Sequence, residues 1–333
     1  MVNPVTSSRT SPLERDERPK SKPAEFAGGV EGKKNRYEVK PRYEIQGIVE
    51  ASDMLALPGG RFGAVSDTQD KFYIFNDEGK VKHTIDFPRL QNGSSQLEAV
   101  AYDPVKNKLS VIREEAREML IYDFDASNPE DIESRPNRIS LPPFGGDRSR
   151  TNKGVEGMAF LPGDLSITGR PQLIIANEAV PRKLFFLETN GDAKGEEVKI
   201  DGKKVRLPVE IDVEVEARKY CRDFSGVAVD PKTGDIFVSS DESHSVVQLR
   251  LKKDKDKKHT YRAEYVAHFE LNKSNGDALK RIEGLAFDAD GNLRLLSENN
   301  SKVYELKRYG DPVAEVDTQG LGNPPAAWVE DSP

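Results

Sequence analysis

IEGLAFDADGNLRLLSE, residues 282–298, reads as one β-hairpin: a short apolar strand, the turn DADGN, and a second apolar strand that ends on an acid. The same unit occurs four more times. SDMLAL at 52, LEAVAYD at 97, VEGMAFL at 155 and FSGVAVD at 224 match its opening, and GAVSD, SVIRE, LIIANE and IFVSSD match its close. A third strand follows each hairpin, in KFYIF, MLIYDF, KLFFLE, SVVQLRL and KVYEL. VKHTIDF, NRISL, the stretch around VRLPVEIDVEV, and YRAEYVAHFEL supply a fourth in the first four repeats. Such repeats cannot bury both faces alone, and stacking them predicts an all-β, five-bladed β-propeller of four-stranded antiparallel blades.

The propeller is expected over residues 41–316. YEIQGIV at 43–49 precedes the first repeat, so it is expected to supply the missing outer strand of the last blade and close the ring. Residues 1–40 are rich in Pro, Ser, Lys, Arg and Glu and read as a disordered arm; 317–333 read as a flexible tail.

The 333 residues are 36% hydrophobic and 32% charged, which is the balance of a soluble globular chain. No apolar run approaches the roughly 18 residues of a spanning helix, so no membrane span is expected. The formal charge of −7 argues against nucleic acid as a partner. Without an apolar run at the N-terminus the expected compartment is the cytoplasm, or outside the cell if a signal has been removed. The single cysteine, Cys221, excludes an internal disulfide.

Chemistry is carried by the acids of the repeat. Asp53, Glu98, Glu156 and Glu283, with Ser225 in the fourth position, open the first strands; Asp67, Glu114, Glu178, Asp241 and Glu298 close the second. Each pair is placed symmetrically about its turn, so the two members are expected to be cross-strand neighbours. First strands line the channel of a propeller, which brings all ten positions to one mouth. Nine carboxylates there need solvent, protons or a cation. Calcium takes six to eight oxygens in flexible geometry and suits such a ring, whereas the lack of Cys and His argues against zinc, copper and iron. A hydrated rim whose acids cap backbone N–H groups would produce the same pattern.

Lys153, Arg222 and Lys280, each three positions before the strand-one residue, would suit a small anionic ligand or serve as counter-charges. His244 follows Asp241 and is a candidate general base, beside Glu156 and Glu178. No nucleophile elbow, HExxH motif, P-loop or EF-hand loop is present.

LEAVAYDP at 97, NKGVEGMAF at 152, FSGVAVDPKTGDIFVSSDES at 224 and IEGLAFDADGNLRLLSEN at 282 resemble the SdiA-regulated protein family, related at a distance to NHL-repeat propellers. The resemblance implies a five-bladed propeller with a shared calcium site and an unassigned molecular role, presenting its mouth to a small anion or a protein partner. NKGVEGMAF and the Asn177–Glu178 pair are also similar to the esterase-like phytase family. That implies, as the alternative, calcium-dependent hydrolysis of phosphoesters, esters or lactones. The first repeat departs from the E-G or S-G pattern.

Overall fold

The computed structural model describes residues 25–26, 35–87, 96–114, 116–130, 132, 135–141, 154–178, 182–195, 197–200, 203–253, 261–271 and 278–309. The tail from 317, Lys153 and most of the N-terminal arm lie outside them. Strand is the dominant regular structure of the described residues, as their β-branched and aromatic runs between Gly, Asn and Asp turns dictate.

The chain enters through β1 (Glu25–Phe26) and β2 (Asn35–Glu44). The first repeat forms β3 (Ala51–Leu57), β4 (Arg61–Ser66), β5 (Lys71–Asn76) and β6 (Val81–Asp86), paired antiparallel in that order. The second forms β7 (Leu97–Asp103), β8 (Lys108–Arg113), β9 (Glu118–Asp123) and β10 (Asn137–Ser140) in the same way.

In the third, β11 (Val155–Leu161), β12 (Gln172–Asn177) and β13 (Lys183–Glu188) precede a separate hairpin of β14 (Glu197–Ile200) and β15 (Lys203–Arg206), and β16 (Val209–Val213) then pairs with β13. After the short helix α1 (Val215–Arg218), the fourth repeat forms β17 (Val227–Val229), β18 (Ile236–Ser240), β19 (Ser245–Lys253) and β20 (Tyr261–Glu270). The fifth forms β21 (Ile282–Phe287), β22 (Leu293–Ser297), a 3-10 turn at Glu298–Asn300, and β23 (Lys302–Tyr309).

Two features differ from the sequence expectation. The strand pairing with β23 is β2, in a register from Arg36 opposite Tyr309 to Glu44 opposite Lys302, whereas residues 45–49 turn back toward β3. It thus starts eight residues before the run expected at 43–49, at Asn35, and takes in 35–40, which composition places in the arm. Polar residues around Tyr37 and Val39 hide the strand in the sequence. Second, the third and fourth repeats are not separate sheets: β16 pairs parallel with β20, Ile211 opposite Tyr261 and Val213 opposite Ala263, to give one eight-stranded sheet.

The inner strands of the repeats are more buried than the fourth strands of the first three. β12 is buried along its whole length, whereas β6 and β10 carry exposed residues between their few buried ones. The first strands pack in a cycle: β3 on β7, β7 on β11, β11 on β17, β17 on β21, and β21 on β3. Each hydrophobic cluster of the described residues draws on two successive repeats, and one of them joins Met54, Phe62 and Phe75 to Leu296 and Val303, the first repeat to the fifth. Burial between neighbours, at about 25 cal/mol per Å² of apolar surface, is the main force holding the repeats side by side. No helix among the described residues is long and apolar enough to cross a membrane.

Candidate functional site

Each first strand begins with a β-bulge. Leu97 pairs with Arg113 and Ala99 with Ile112, leaving Glu98 as the extra residue; Glu156 and Glu283 are extra in the same way between Val155 and Gly157 and between Ile282 and Gly284. In the fourth repeat Ser225 and Gly226 both bond to the Ser239 backbone. In the first repeat the skip lies between Ala51 and Asp53, so the counterpart of Glu98 is Ser52, not Asp53. The bulge positions are therefore three glutamates and two serines. A bulge re-aims one side chain out of the ladder, which here turns the glutamates toward the channel end.

The same shift corrects the pairing of the acids. Glu114 N–H donates to the Gln96 carbonyl at 3.1 Å, Glu178 to Gly154 at 3.0 Å, Glu298 to Arg281 at 2.9 Å and Asp67 to Glu50 at 3.0 Å. Four of the five strand-two acids thus face the residue two before the bulge, and the acids of these repeats are neighbours rather than directly opposed. Glu50, Gln96 and Arg281 at these places have φ of 49°, 43° and 52°, and Arg117, His244 and Ser301, three residues after a strand-two acid, have φ of 47°, 51° and 47°. Non-glycine residues in the left-handed region cost free energy and gather where surrounding structure forces them.

The structure brings the acids into one cluster. Burial, then Asp67, Glu114 and Glu283, push the Glu98 carboxyl well above the usual range. Burial, then Glu98, Glu114, Glu178 and Glu283, do the same to Glu156. Burial, Asp241 and Glu298 push Glu283 to about 8. Glu114 is pushed to about 7 by burial and by Glu178 and Asp67, against a hydrogen bond from the Gly154 N–H. Asp67 is raised by burial and by Glu50 and Glu298, and shares a hydrogen bond with Glu98. Among the described residues no Lys, Arg or His forms an ion pair with Glu98, Glu156 or Glu283.

Asp53 stands apart. It is fully buried, its Oδ1 accepts the Met54 N–H at 2.8 Å, and its Oδ2 accepts the Val100 N–H at 2.9 Å and the Met158 N–H at 3.4 Å. Burial raises its pKa while the three amides pull it down. The carboxylate clamps β3 to β7 and β11. The two bulge serines do related work, Ser52 Oγ donating to the Leu97 carbonyl at 2.6 Å and Ser225 Oγ to the Ile282 carbonyl at 2.7 Å, each the residue before the next repeat's glutamate.

Of the basic candidates, Arg222 and Lys280 are exposed, and Lys153 lies outside the described residues. Asp241 accepts the Arg281 N–H, and the Arg281 guanidinium lies 2.6 Å from Glu298. Arg281, Glu50 and Asp223 belong to the mouth but escape a reading centred on the repeated acids. Counting back from the bulge finds Glu50 and Arg281, two places upstream. His244 is half-buried and its Nδ1 is a buried atom with no hydrogen-bond partner.

All the side chains of the cluster offer oxygen, and the Glu114 Oε1 is buried with no hydrogen-bond partner, pressed at 2.9 Å by the position a Cβ at Gly154 would take. The chemistry fits a hard cation. Among the described residues no three or more His, Cys, Asp or Glu are already gathered around one point as a ligand cage, so ligation would require the glutamates to change rotamer.

An all-β array of antiparallel repeats whose first strands pack one on the next defines a propeller-like class of repeat protein. The SdiA-regulated family model matches residues 36–307, and the chain belongs to that family. No curated protein matches the chain. Among solved structures, the PQQ-bound aldose sugar dehydrogenase of Streptomyces coelicolor aligns at 11% identity and TM-score 0.54, over 82% of this chain and 99% of that one. Glutaminyl cyclase of Myxococcus xanthus aligns at 12% identity and TM-score 0.47, over 82% of this chain and 96% of that one. The first likeness shows a propeller-like fold and says nothing of chemistry.

Proposed function

We propose that this chain is a five-bladed propeller, its last blade completed by β2, whose acidic mouth binds calcium and presents it to a small anionic ligand or a protein partner. One observation carries the reading: three bulge glutamates, Glu98, Glu156 and Glu283, converge with no basic partner among the described residues. Glu114, Glu178, Asp241 and Glu298 flank them, and Ser225 and Asp67 complete the rim. Asp53 is set aside as a ligand because three N–H groups hold its oxygens. The cyclic packing of the first strands and the cluster shared by the first and fifth repeats support the five-bladed closure.

The test is calorimetric titration of the chelator-stripped full chain with calcium and, separately, magnesium, alongside thermal melts. Calcium at a hundredfold excess over Kd should stabilise by about 2.7 kcal/mol. The absence of both a binding heat and a shift in the melt would overturn the reading.

A second reading has its own observation, the buried, unpartnered Nδ1 of His244 in the loop three residues after Asp241. Here the bound cation would polarise a phosphoester, ester or lactone while Glu156, Glu178 or His244 accepts a proton from water. Turnover of nitrophenyl phosphate or nitrophenyl acetate, lost in His244→Ala, supports it; no turnover on either sinks it.

A further inference from the structure

Beside the carboxylate cluster, between the end of the fourth repeat and the 3-10 turn of the fifth, lies a cleft of about 400 Å³ lined by Leu279, Lys280, Ser297, Asn299, Asn300 and Tyr304. That volume falls in the range of small-molecule sites, roughly 300 to 1,000 Å³. It exceeds what a single inorganic ion needs.

The lining is unusual for a protein of net charge −7. Lys280 is exposed and forms no ion pair with any described carboxylate, although acids crowd the neighbouring mouth. Asn299 and Asn300 are exposed side by side on the turn; the Asn300 Oδ1 accepts the Lys302 N–H at 3.2 Å, which fixes that side chain and leaves its amide N–H groups to donate. These groups sit on a fixed frame. Ser297 Oγ donates to the Lys280 carbonyl at 3.1 Å, and Leu279 N–H donates to the Leu271 carbonyl at 2.7 Å, holding the lysine segment. Ser301, at φ 47°, ends the turn and is bound on both sides: its Oγ donates to the Ile48 carbonyl at 3.0 Å and its carbonyl accepts the Ile45 N–H at 2.9 Å. A strained turn tied to the first repeat presents the two amides without a loss of loop entropy on binding.

We infer that this cleft is a metal-independent subsite for a small hydroxylated anion of the sugar-phosphate or sugar-acid class. The Lys280 ammonium would meet the phosphate or carboxylate, the Asn299 and Asn300 amides would meet hydroxyl groups, and Tyr304 would form the wall. The subsite borders the proposed calcium mouth at the turn that Glu298 opens and takes the same ligand class. It does not need the cation.

The experiment is calorimetry on the full chain in excess chelator, with glucose 6-phosphate and glucuronate as probes and glucose as the uncharged control. At least one anion should bind and glucose should not; whichever anion binds more tightly separates a phosphate from a carboxylate site. Lys280→Met should weaken binding about tenfold or more, the worth of one charge-assisted hydrogen bond, and Asn299→Ala with Asn300→Ala should weaken it further. Lys82→Met, at an exposed strand lysine far from the cleft, should leave it unchanged. The inference fails if neither anion binds, if glucose binds as well, or if Lys280→Met has no more effect than Lys82→Met. Binding that appears only when calcium is restored would place the anion at the mouth, overturning the cleft while supporting the calcium reading.

Discussion

Asp53 accepts the Val100 N–H through Oδ2 at 2.9 Å and so joins the first strands of the first two repeats, with the Met158 N–H of the third 3.4 Å from the same oxygen. Asp53→Ala would leave these fully buried amides without that acceptor, at about 1 to 3 kcal/mol for each unsatisfied group. A loss of about 3 kcal/mol in urea unfolding is expected. Asp53→Asn should recover little, because its amide nitrogen would face N–H donors. A loss under 1 kcal/mol in both variants would remove Asp53 as the clamp.

That role could not be read from the chain. SDMLAL holds an acid where the other repeats place one, and simple alignment makes Asp53 the partner of Glu98. The bulge between Ala51 and Asp53 reverses this, and a bulge leaves no mark in apolar periodicity. By contrast, the four openings from Leu97 to Phe287 lie where alternation and turn chemistry put them, since those signals are local. The parallel pairing of β16 with β20 depends on how two repeats meet, and β2 depends on a partner some 260 residues away, so neither had a local signal. That Glu98, Glu156 and Glu283 hold one equivalent position was legible because the repeat sets that position by local signals alone.

The approach of first strands can be tested at Gly226. A Cβ there would stand 2.2 Å from the Glu283 carbonyl oxygen and 2.8 Å from Ser239 Oγ. The carbonyl is backbone and cannot swing aside, so Gly226→Ala should force β17 from β21 and cost about 2 kcal/mol, in the range of overpacked cores. The thermal melt measures it, and a melt within a degree of the parent contradicts the packing.

His268 carries a pH dependence. Its ring stacks on Tyr220 at 3.6 Å and 9°, its Nδ1 lies 2.7 Å from the Tyr265 hydroxyl, and Glu270 and Glu216 face it. Burial dominates and holds its pKa below 6.5, so the folded state keeps the ring neutral while the unfolded chain takes up a proton. Its contribution is complete above about pH 6.5 and is lost as pH falls from there through the depressed folded value. The difference in urea midpoint between wild type and His268→Phe should therefore shrink between pH 7.5 and 5.5. A constant difference would show that the ring does not titrate in this window.

The bulge glutamates should trade stability against cation binding. Without metal, Glu156 meets Glu98, Glu114, Glu178 and Glu283, each of which disfavours its charge. Glu156→Gln removes that repulsion, so the chelated variant should melt higher than the chelated parent at pH 8. In calcium the order should reverse, because the variant has lost a ligand oxygen of full charge. A variant that gains in chelator and loses nothing in calcium would falsify the cation site while leaving the crowded acids intact.

Arg294 bears on ring closure. Its side chain is 4% exposed and its guanidinium reaches Asp288 at 2.9 Å, Glu305 at 2.5 Å and Asp77 at 3.1 Å; Asp77 belongs to the β5–β6 turn of the first repeat and the others to the fifth. Arg42 of β2 adds a second contact to Asp77 at 3.2 Å. Removing one partner of a buried ion pair leaves an uncompensated charge, at about 3 to 5 kcal/mol. Arg294→Met should cost about 3 kcal/mol in urea unfolding, and Arg294→Lys nearly as much, since an ammonium cannot hold three carboxylates with a planar fork. Asp77→Asn separates the two roles of the cluster. It keeps Asp288 and Glu305 paired and weakens only the link to the first repeat, so a loss well below that of Arg294→Met is expected, with earlier proteolysis near β2 as the sign of a loosened closure.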